Sequence, residues 1–222
     1  MDIILPAAGQ ASRMRGLPKF LLPCDKDYLT LLESHIDKCL QYANNIWIPT
    51  RPDLIQLIDA LNIKSTKVLV FPFNSRSMND SISRVLDISS SEFFQVIMPD
   101  TFFDSSDPYG ELDPNPEVAD VAIWKIRPEQ VGKLGQLRID QSHILDIQDK
   151  NPLCNYEYSW GALNFSRQLS PFINVLDPHI GYALQAAIHN SKKVSFKKMK
   201  GNYYDCGTPT EYIKLLLKLS II

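Results

Sequence analysis

The chain has 222 residues, of which 45% are hydrophobic and 22% are charged, and its formal net charge is −2 at pH 7. This length and composition predict one globular domain, residues 1–222, around a substantial core, and exclude an intrinsically disordered chain. Because the chain has no basic excess to attract a phosphate backbone, we expect no nucleic-acid partner.

The apolar segments and the cysteines favour a cytoplasmic protein with no membrane contact. Pro6 and Gly9 interrupt the N-terminal apolar run, and no apolar segment reaches the length of a membrane span. The cysteines lack Cys-x-x-Cys and zinc-ligand spacing, which is typical of reduced thiols in the cytosol. They are Cys24, Cys39, Cys154 and Cys206.

The first half of the chain predicts strands that alternate with helices. Apolar runs predict strands at residues 3–5, 46–48, 67–71 and 93–98. Helical spacing of apolar residues predicts helices that begin near Tyr28, Pro52 and Ile82. Because the strands are apolar throughout, without alternation, they indicate a parallel sheet covered by helices on both faces.

The second half has more alternation in its apolar runs, which indicates antiparallel pieces that form a lobe over the sheet. After a polar loop at residues 104–117, strands are predicted at 118–126, 134–139, 144–148, 160–165 and 194–196. A helix is predicted over residues 177–188, and residues 203–210 are predicted to form a turn. Thr208 is predicted to cap a last helix with Pro209 at its first position.

The loop after the first strand has the composition of a phosphate-binding loop. It runs from Leu5 to Met14 and closes at Pro18-Lys19. Small residues let backbone N–H groups approach an anion, while Arg13 and Lys19 supply cations. We predict that the following residues bind a nucleoside triphosphate: Ala7, Ala8, Gly9, Gln10, Ala11 and Ser12.

Two aspartates are candidate metal ligands for the same site. Asp100 directly follows an apolar strand, and Asp205 precedes the entry to the last helix. Ligands of open α/β sheets bind outside the carboxyl ends of the strands, so Asp100 and the first loop should face one cleft. Triphosphate chemistry needs a hard cation such as Mg²⁺, which takes one or two carboxylates. The alternative is that each carboxylate only accepts hydrogen bonds within its turn.

The sequence resembles the sugar-1-phosphate nucleotidylyltransferases, also called nucleotide-sugar pyrophosphorylases, of the nucleotidyltransferase superfamily. Four motifs match in order: the Gly9-to-Arg13 loop with Pro18-Lys19, Asp100, Asp149-Lys150, and Asp205-Cys206-Gly207-Thr208-Pro209. Together they span nearly the whole chain. The resemblance implies an α/β fold, Rossmann-like, with three α/β/α layers, a mostly parallel central sheet and a small antiparallel sugar-binding lobe.

The resemblance also implies roles for individual side chains in the binding of the donor nucleotide. Asp100 and Asp205 would hold a catalytic Mg²⁺ ion. Arg13 and Lys19 would neutralise the triphosphate and the departing pyrophosphate. The family contacts the base at the position of Ser77, Met78 and Asn79.

At the acceptor end, the resemblance implies contacts to the sugar-1-phosphate. Lys150 would contact the phosphate, and Asp149 would contact the sugar hydroxyls. Gly135 and Gly161 match glycines that let the sugar lie close to the backbone.

The implied reaction transfers a nucleoside monophosphate from an NTP to a sugar-1-phosphate, giving an NDP-sugar and pyrophosphate. No protein base is needed, because a phosphate nucleophile is already ionised near neutral pH. We therefore expect the histidines to be surface or helix residues: His35, His143, His179 and His189. The apolar C-terminal segment, residues 215–222, is expected to pack on the core, and the alternative is a homo-oligomer contact.

The chain departs from the family pattern at two places. Ala11 stands where the signature loop usually has glycine, and a methyl group fits there only with a negative φ or loose packing. Asp149-Lys150-Asn151-Pro152 stands where many members have Glu-Lys-Pro.

Three other functions compete with this one. The loop spelling also resembles cytidylyltransferases that act on a non-sugar phosphate such as phosphocholine. Ala11 and the altered segment at 149–152 fit a nucleotide-sugar-binding protein without catalysis, although both metal carboxylates are present. A Rossmann dehydrogenase is disfavoured, because the loop lacks G-x-G-x-x-G.

Overall fold

The computed structural model describes residues 1–105 and 107–221. The first half contributes four parallel strands, which lie in the order β3-β2-β1-β4. They are β1 (Asp2–Ile4), β2 (Ile46–Thr50), β3 (Val68–Pro72) and β4 (Phe93–Ile97). All four of the predicted strands are present, and the predicted parallel sheet is confirmed.

The second half extends this sheet and adds a small antiparallel ribbon. Its strands are β5 (Thr101–Phe103), β6 (Ala119–Lys125), β7 (Gly135–Ile139), β8 (Ile144–Asp149), β9 (Tyr158–Ser166), β10 (Val194–Lys198) and β11 (Tyr203–Asp205). β9 runs antiparallel between β4 and β6, and β10 pairs in parallel with β6. The hairpin of β7 and β8 joins the start of β9, whereas β5 and β11 form a separate two-stranded ribbon.

Helices cover both faces of the sheet. They are α1 (Leu31–Cys39), α2 (Ile55–Asp59), α3 (Met78–Ile88), α4 (Pro108–Glu111), α5 (Gly181–His189) and α6 (Pro209–Lys218). Successive residues of β1 enter different cores: Ile3 packs with α1 and α2, whereas Ile4 packs with α3 and α5. The three-layer α/β/α architecture predicted from the sequence is therefore confirmed.

Side-chain caps determine where three of the helices begin. Thr30 accepts a hydrogen bond from the backbone N–H of Glu33, whose carboxylate accepts from Thr30 in return. Ser77 caps α3 by accepting a hydrogen bond from the backbone N–H of Asp80. Thr208 caps α6 with Pro209 at its first position, as the sequence predicted. Each cap satisfies a backbone donor that the first helical turn leaves unpaired.

Several predicted bounds were wrong. The first helix begins at Leu31, because Tyr28 has a φ of 65° and Thr30 is the cap. Residues 52–54 form a single 3-10 turn, and the short α2 that follows leaves Leu57 exposed. The helix predicted from residue 177 begins at Gly181, and the turn predicted at 203–210 contains β11.

The C-terminal segment lies only partly on the core. Leu215 is fully buried beside Tyr204 and Cys206, whereas Leu217 remains 59% exposed. Ile222, the last residue of this segment, lies outside the described residues. Across residues 1–105 and 107–221, no helix combines the length and the apolar character needed to cross a bilayer.

Candidate active site

A cleft of about 340 Å³ opens at the carboxyl ends of β1 and β4, at the centre of the sheet. This is the position at which open α/β sheets bind ligands. The cleft collects predicted residues from most of the chain: Ala8, Gly9, Gln10, Arg13, Lys19, Ser77, Met78, Asp100, Gly135, Asp149, Lys150 and Asp205. The residues predicted for donor, metal and acceptor thus line one continuous space.

The remaining predicted loop residues line an adjoining hollow of about 230 Å³. They are Ala7, Ala11 and Ser12, and they share the hollow with Arg13, Lys19 and Asp100. The loop is fixed at its start by the backbone N–H of Ala7, which donates to Pro49 O at 3.0 Å. Further along, the guanidinium of Arg51 donates to Gly9 O at 3.0 Å. These contacts tie the loop to the end of β2.

Ala11 adopts a backbone conformation that is usually found at glycine. Its φ is 49° and its ψ is 34°, in the left-handed region. Of the two conditions under which a methyl group would fit, a negative φ is therefore not met. An alanine in this region costs about 1–2 kcal/mol relative to a right-handed conformation. The Ala11 carbonyl accepts from the N–H groups of Met14 and Gly16, and these bonds hold the turn.

Lys19 contacts one of the predicted metal ligands. It follows Pro18 in a single 3-10 turn, and its ammonium group donates a short hydrogen bond to Asp100 Oδ2. Burial lowers the pKa of Lys19, but the charge and hydrogen bond of Asp100 outweigh burial and raise it overall. Lys19 is therefore a fixed cation at the junction of the loop and the metal ligands.

The β5–β11 ribbon brings Asp100 and Asp205 together. Thr101 pairs with Asp205 across the ribbon, and the N–H of Cys206 donates to Asp100 O at 3.0 Å. Burial, and then the negative charge of Asp100, raise the pKa of Asp205 to about 6. A Cβ at position 207 would lie 2.9 Å from Asp205 Oδ1, so Gly207 leaves room for this carboxylate. Neither β5 nor β11 was predicted from the sequence.

The two carboxylates fit a Mg²⁺ ion that is also held by substrate. Their oxygens are hard donors, and the mutual repulsion that raises the pKa of Asp205 is what a cation would relieve. No group of three His, Cys, Asp or Glu residues with metal-site geometry occurs within the described part of the chain. Mg²⁺ is commonly bound by one or two carboxylates plus substrate phosphates, so a two-carboxylate set suits it.

Lys150 also lines the cleft and lies directly after β8. Its φ of 52° is left-handed, which is uncommon for a residue with a side chain and is often found at functional sites. Its ammonium group makes a short contact with Nε2 of His179. Burial lowers the pKa of Lys150, with Arg13 and Lys19 acting in the same direction.

His179 was expected to be a surface or helix residue, but it lies in the loop before α5 and lines the cleft. Its Nε2 atom lies 3.6 Å from Asp149 Oδ2. Burial lowers the pKa of His179, and the cationic Lys150 and Arg13 add to this effect. The sequence indicated this position only weakly, because His179 does not form a recognisable motif with any other candidate site residue.

The glycines predicted to lie against a sugar have side chains as neighbours. Gly135 lines the cleft, but a Cβ there would fall 2.2 Å from Trp160 Nε1. Gly161 lies behind the cleft wall, where a Cβ would meet the rings of Tyr203 and Trp124 at 2.6 and 2.7 Å. Both positions therefore need glycine for packing, and their contact with a sugar stays a prediction.

The residues predicted to contact the base divide into two groups. Ser77 and Met78 line the cleft at the start of α3, and Ser77 Oγ donates to Val175 O at 2.7 Å. Asn79 is fully buried outside the cleft, and its amide donates to Asn174 O at 3.1 Å. Asn79 is thus placed to support the start of α3.

Several cleft residues were not singled out as site residues by the sequence reasoning. Besides His179 they include Ser75, Arg76, Ser81, Lys133, Trp160 and Tyr203. Arg76 is paired with Asp80 at 3.1 Å, and Lys133 with Glu211 at 3.2 Å. The approach of these residues to the cleft depends on tertiary packing, so local pattern carried no signal.

No protein-family model and no curated protein matches the sequence at a significant level. Solved structures do match the fold. A UDP-glucose pyrophosphorylase solved with UDP-glucose has a TM-score of 0.79 at 19% identity, over 99% of this chain and 98% of that one. The inositol-1-phosphate CTP transferase from T. maritima has a TM-score of 0.79 at 15% identity, over 99% and 96%.

A third match is a Bacillus anthracis protein described as a glucose-1-phosphate thymidylyltransferase. It has a TM-score of 0.79 at 16% identity, over 100% of this chain and 96% of that one. Because these identities are low, the matches establish that the folds are alike and no more than that. The chain therefore has the Rossmann-like fold that these solved nucleotidyltransferases share, over essentially its whole length.

Proposed function

We propose that the chain is a single-domain, Mg²⁺-dependent sugar-1-phosphate nucleotidylyltransferase. It would transfer a nucleoside monophosphate from an NTP to a sugar-1-phosphate and release pyrophosphate. The observation that carries this proposal is the β5–β11 ribbon, which places Asp100 and Asp205 beside the loop of Arg13 and Lys19. The shared fold with nucleotidyltransferases supports it.

In the proposed reaction, an oxygen of the acceptor phosphate attacks the α-phosphorus of the NTP. The new P–O bond forms as the bond from the α-phosphorus to the bridging oxygen breaks, and pyrophosphate leaves with that electron pair. Lys150 holds the acceptor phosphate at one side of the cleft. Arg13 and Lys19 stabilise the charge on the leaving pyrophosphate at the other side. Asp100 and Asp205 would hold a Mg²⁺ ion, which would supply further neutralisation of the phosphate charge.

The chain lowers the barrier by positioning and electrostatics. Two anions must meet, so fixed cations have to remove their repulsion, and alignment of the reactants is worth about 7–11 kcal/mol. Lys19 and Lys150 both lie in the partly buried cleft, where charge interactions are stronger than in water. No residue is needed as a general base, because the acceptor phosphate is already ionised.

The proposal assigns Mg²⁺ as the cofactor and an NTP and a sugar-1-phosphate as the substrates. The cytoplasm, where these metabolites occur, is the proposed location. The structural matches bind or use different bases, since one was solved with UDP-glucose and another is a CTP transferase. A test must therefore vary both the base and the acceptor.

The test is a matrix of purified chain with each NTP and several phosphorylated acceptors, read by pyrophosphate release. The acceptors include glucose-1-phosphate, inositol-1-phosphate and phosphocholine, each with Mg²⁺ and with EDTA. We expect one nucleotide and acceptor pair to give Mg²⁺-dependent turnover well above that of Asp205→Ala. Nucleotide-sugar binding without pyrophosphate release in any pair would instead indicate a non-catalytic binding protein.

A further inference from the structure

Two buried polar atoms in the cleft have no hydrogen-bond partner within the described residues. Several buried side-chain atoms of the protein are unpaired, but among them only Trp160 Nε1 and Asp149 Oδ2 belong to residues that line the cleft. Trp160 is 6% exposed, and the side chain of Asp149 is 5% exposed. His179 Nε2, at 3.6 Å from Asp149 Oδ2, is too far for a hydrogen bond.

The two side chains converge on one small region beside β7. Gly135 pairs with Asp149 across the β7–β8 hairpin. A Cβ at Gly135 would lie 2.2 Å from Trp160 Nε1 and 3.0 Å from Asp149 Oδ1. The indole edge and the carboxylate therefore flank the same backbone position, next to Lys150 and its predicted phosphate contact.

The two unpaired atoms have opposite hydrogen-bonding character. The indole N–H is only a donor, and an ionised carboxylate is only an acceptor. A buried group left unpaired carries a desolvation cost that a suitable ligand would remove. A hydroxyl group both accepts and donates, so it satisfies both atoms. The trimethylammonium group of phosphocholine offers neither a lone pair nor an N–H.

We infer that Trp160 is a specificity-determining residue whose indole N–H donates to a hydroxyl of the acceptor. The same hydroxyl, or its neighbour, donates to Asp149 Oδ2. The acceptor class is then a hydroxyl-bearing sugar or cyclitol phosphate, and phosphocholine is excluded. This inference rests on the proposed function, because it assumes that the acceptor phosphate lies at Lys150.

The decisive variant is Trp160→Phe, which removes the N–H and keeps an aromatic ring. Trp124→Phe is its matched control, since Trp124 Nε1 is also buried and unpaired but Trp124 lies outside the cleft. Glucose-1-phosphate, its monodeoxy analogues, inositol-1-phosphate and phosphocholine are compared by kcat/KM for pyrophosphate release. Thermal melting checks the fold of each variant, and Asp149→Asn is a second variant that replaces one of the two carboxylate oxygens with an NH₂ donor.

We expect the wild type to discriminate against at least one monodeoxy analogue by about tenfold or more. Trp160→Phe should lose most of that discrimination by reacting more slowly with the hydroxylated acceptor, and Trp160→His should restore part of it. Trp124→Phe should discriminate as the wild type does. Unchanged discrimination in both Trp160→Phe and Asp149→Asn, or phosphocholine as the best acceptor, would overturn the inference.

The same compounds separate this inference from the proposed function. If no acceptor supports pyrophosphate release, the proposed function fails, and acceptor binding is then measured calorimetrically with the same variants. A hydroxyl preference in binding that Trp160→Phe abolishes would support the inference on its own. Binding without any hydroxyl preference would overturn it.

Discussion

Two groups of cleft residues balance their charges differently: those proposed to bind the donor, here called the donor end, and those proposed to bind the acceptor, here called the acceptor end. At the donor end, the Lys19 ammonium is already paired with Asp100, and Asp205 is buried against that pair. At the acceptor end, Lys150 contacts a histidine that burial keeps toward its neutral form, while Asp149 Oδ2 is unpaired. The charges of the donor end are thus paired without a ligand, whereas the acceptor end has a carboxylate oxygen without a hydrogen-bond partner, which the proposed acceptor would supply.

The largest expected effect is at the donor end. Asp205→Asn should reduce kcat/KM for pyrophosphate release on the order of 10³-fold, because it removes a charge that stabilises the transferring phosphates through Mg²⁺. Asp100→Asn should do the same. Asp120→Asn, which removes a buried carboxylate remote from the cleft, is the control and should retain activity.

Asp205→Asn should also change the stability of the fold in a way that depends on pH. The pKa of Asp205 is raised to about 6, so its charge destabilises the metal-free fold above that pH, and the cost disappears as the pH falls toward 4. Asp205→Asn should therefore melt higher than the wild type at pH 8 in EDTA, with no gain at pH 4. An equal gain at both pH values would contradict a pKa of Asp205 that is raised by burial and by the charge of Asp100.

A second prediction compares the buried His35 with the exposed His189. His35, in α1, is fully buried: its Nε2–H donates to Thr101 O at 2.8 Å, and its Nδ1 accepts from the Tyr109 hydroxyl at 2.5 Å. Burial lowers the pKa of His35 to about 4. The Nε2–H of this residue holds β5, and with it the β5–β11 ribbon, while burial disfavours its charged form.

Protonation of His35 should therefore weaken the fold in acid. Its contribution is complete above about pH 6.5 and is lost as the pH falls through about 4, a difference on the order of 3 kcal/mol in the free energy of unfolding. Urea unfolding between pH 7.5 and pH 4 measures it. His35→Gln should flatten this pH dependence, whereas the exposed His189→Gln should leave it unchanged.

A third prediction separates the two ends by kinetics. Lys150→Ala should raise the KM of the acceptor about 10- to 100-fold, since it removes a charged hydrogen bond, and should change the KM of the nucleotide little. Lys19→Ala should show the reverse selectivity. Initial rates, measured with one substrate varied while the other is saturating, would give the two KM values separately. A Lys150→Ala variant with impaired nucleotide binding alone would refute its place at the acceptor end.

The sequence predicted the donor end better than the acceptor end, for a physical reason. The loop from Gly9 to Arg13 and the carboxylate at Asp100 follow apolar strands, whose parallel arrangement can be read from local pattern. The acceptor end depends on β7, β8 and the loop before α5, which meet only through long-range pairing. His179 and Trp160 therefore had no signal, although the strands that carry the acceptor end were predicted.

The β5–β11 ribbon shows a second reason for the misses. Its strands have three residues each, and β11 was predicted as a turn because Gly207 and Pro209 follow it closely. Their pairing is stabilised by the aromatic cluster around Phe103, whose ring stacks on Trp124 at 5.1 Å and lies 5.8 Å from Tyr203. Such packing cannot be read from a three-residue pattern, yet it sets the position of Asp205.

The smallest expected effect concerns Ala11, at the donor end. Ala11→Gly should relieve a left-handed strain of about 1–2 kcal/mol. Glycine also increases the conformational entropy of the unfolded chain, which reduces this gain in stability by about 0.4–1 kcal/mol. We therefore expect a net gain of about 0.5–1 kcal/mol in the free energy of unfolding, which urea titration can resolve.

Ala8→Gly is the matched control for this change, because Ala8 lies in the same loop and does not have a positive φ. It should lose stability, since it pays the unfolded-state cost without relieving strain. Because the donor end is organised in the free protein, Ala11→Gly should change the KM of the nucleotide by no more than about twofold. A large fall in that KM would mean that the strained alanine restrains the loop from gripping the triphosphate, and the donor end would then be less complete without ligand than its charge pairing indicates.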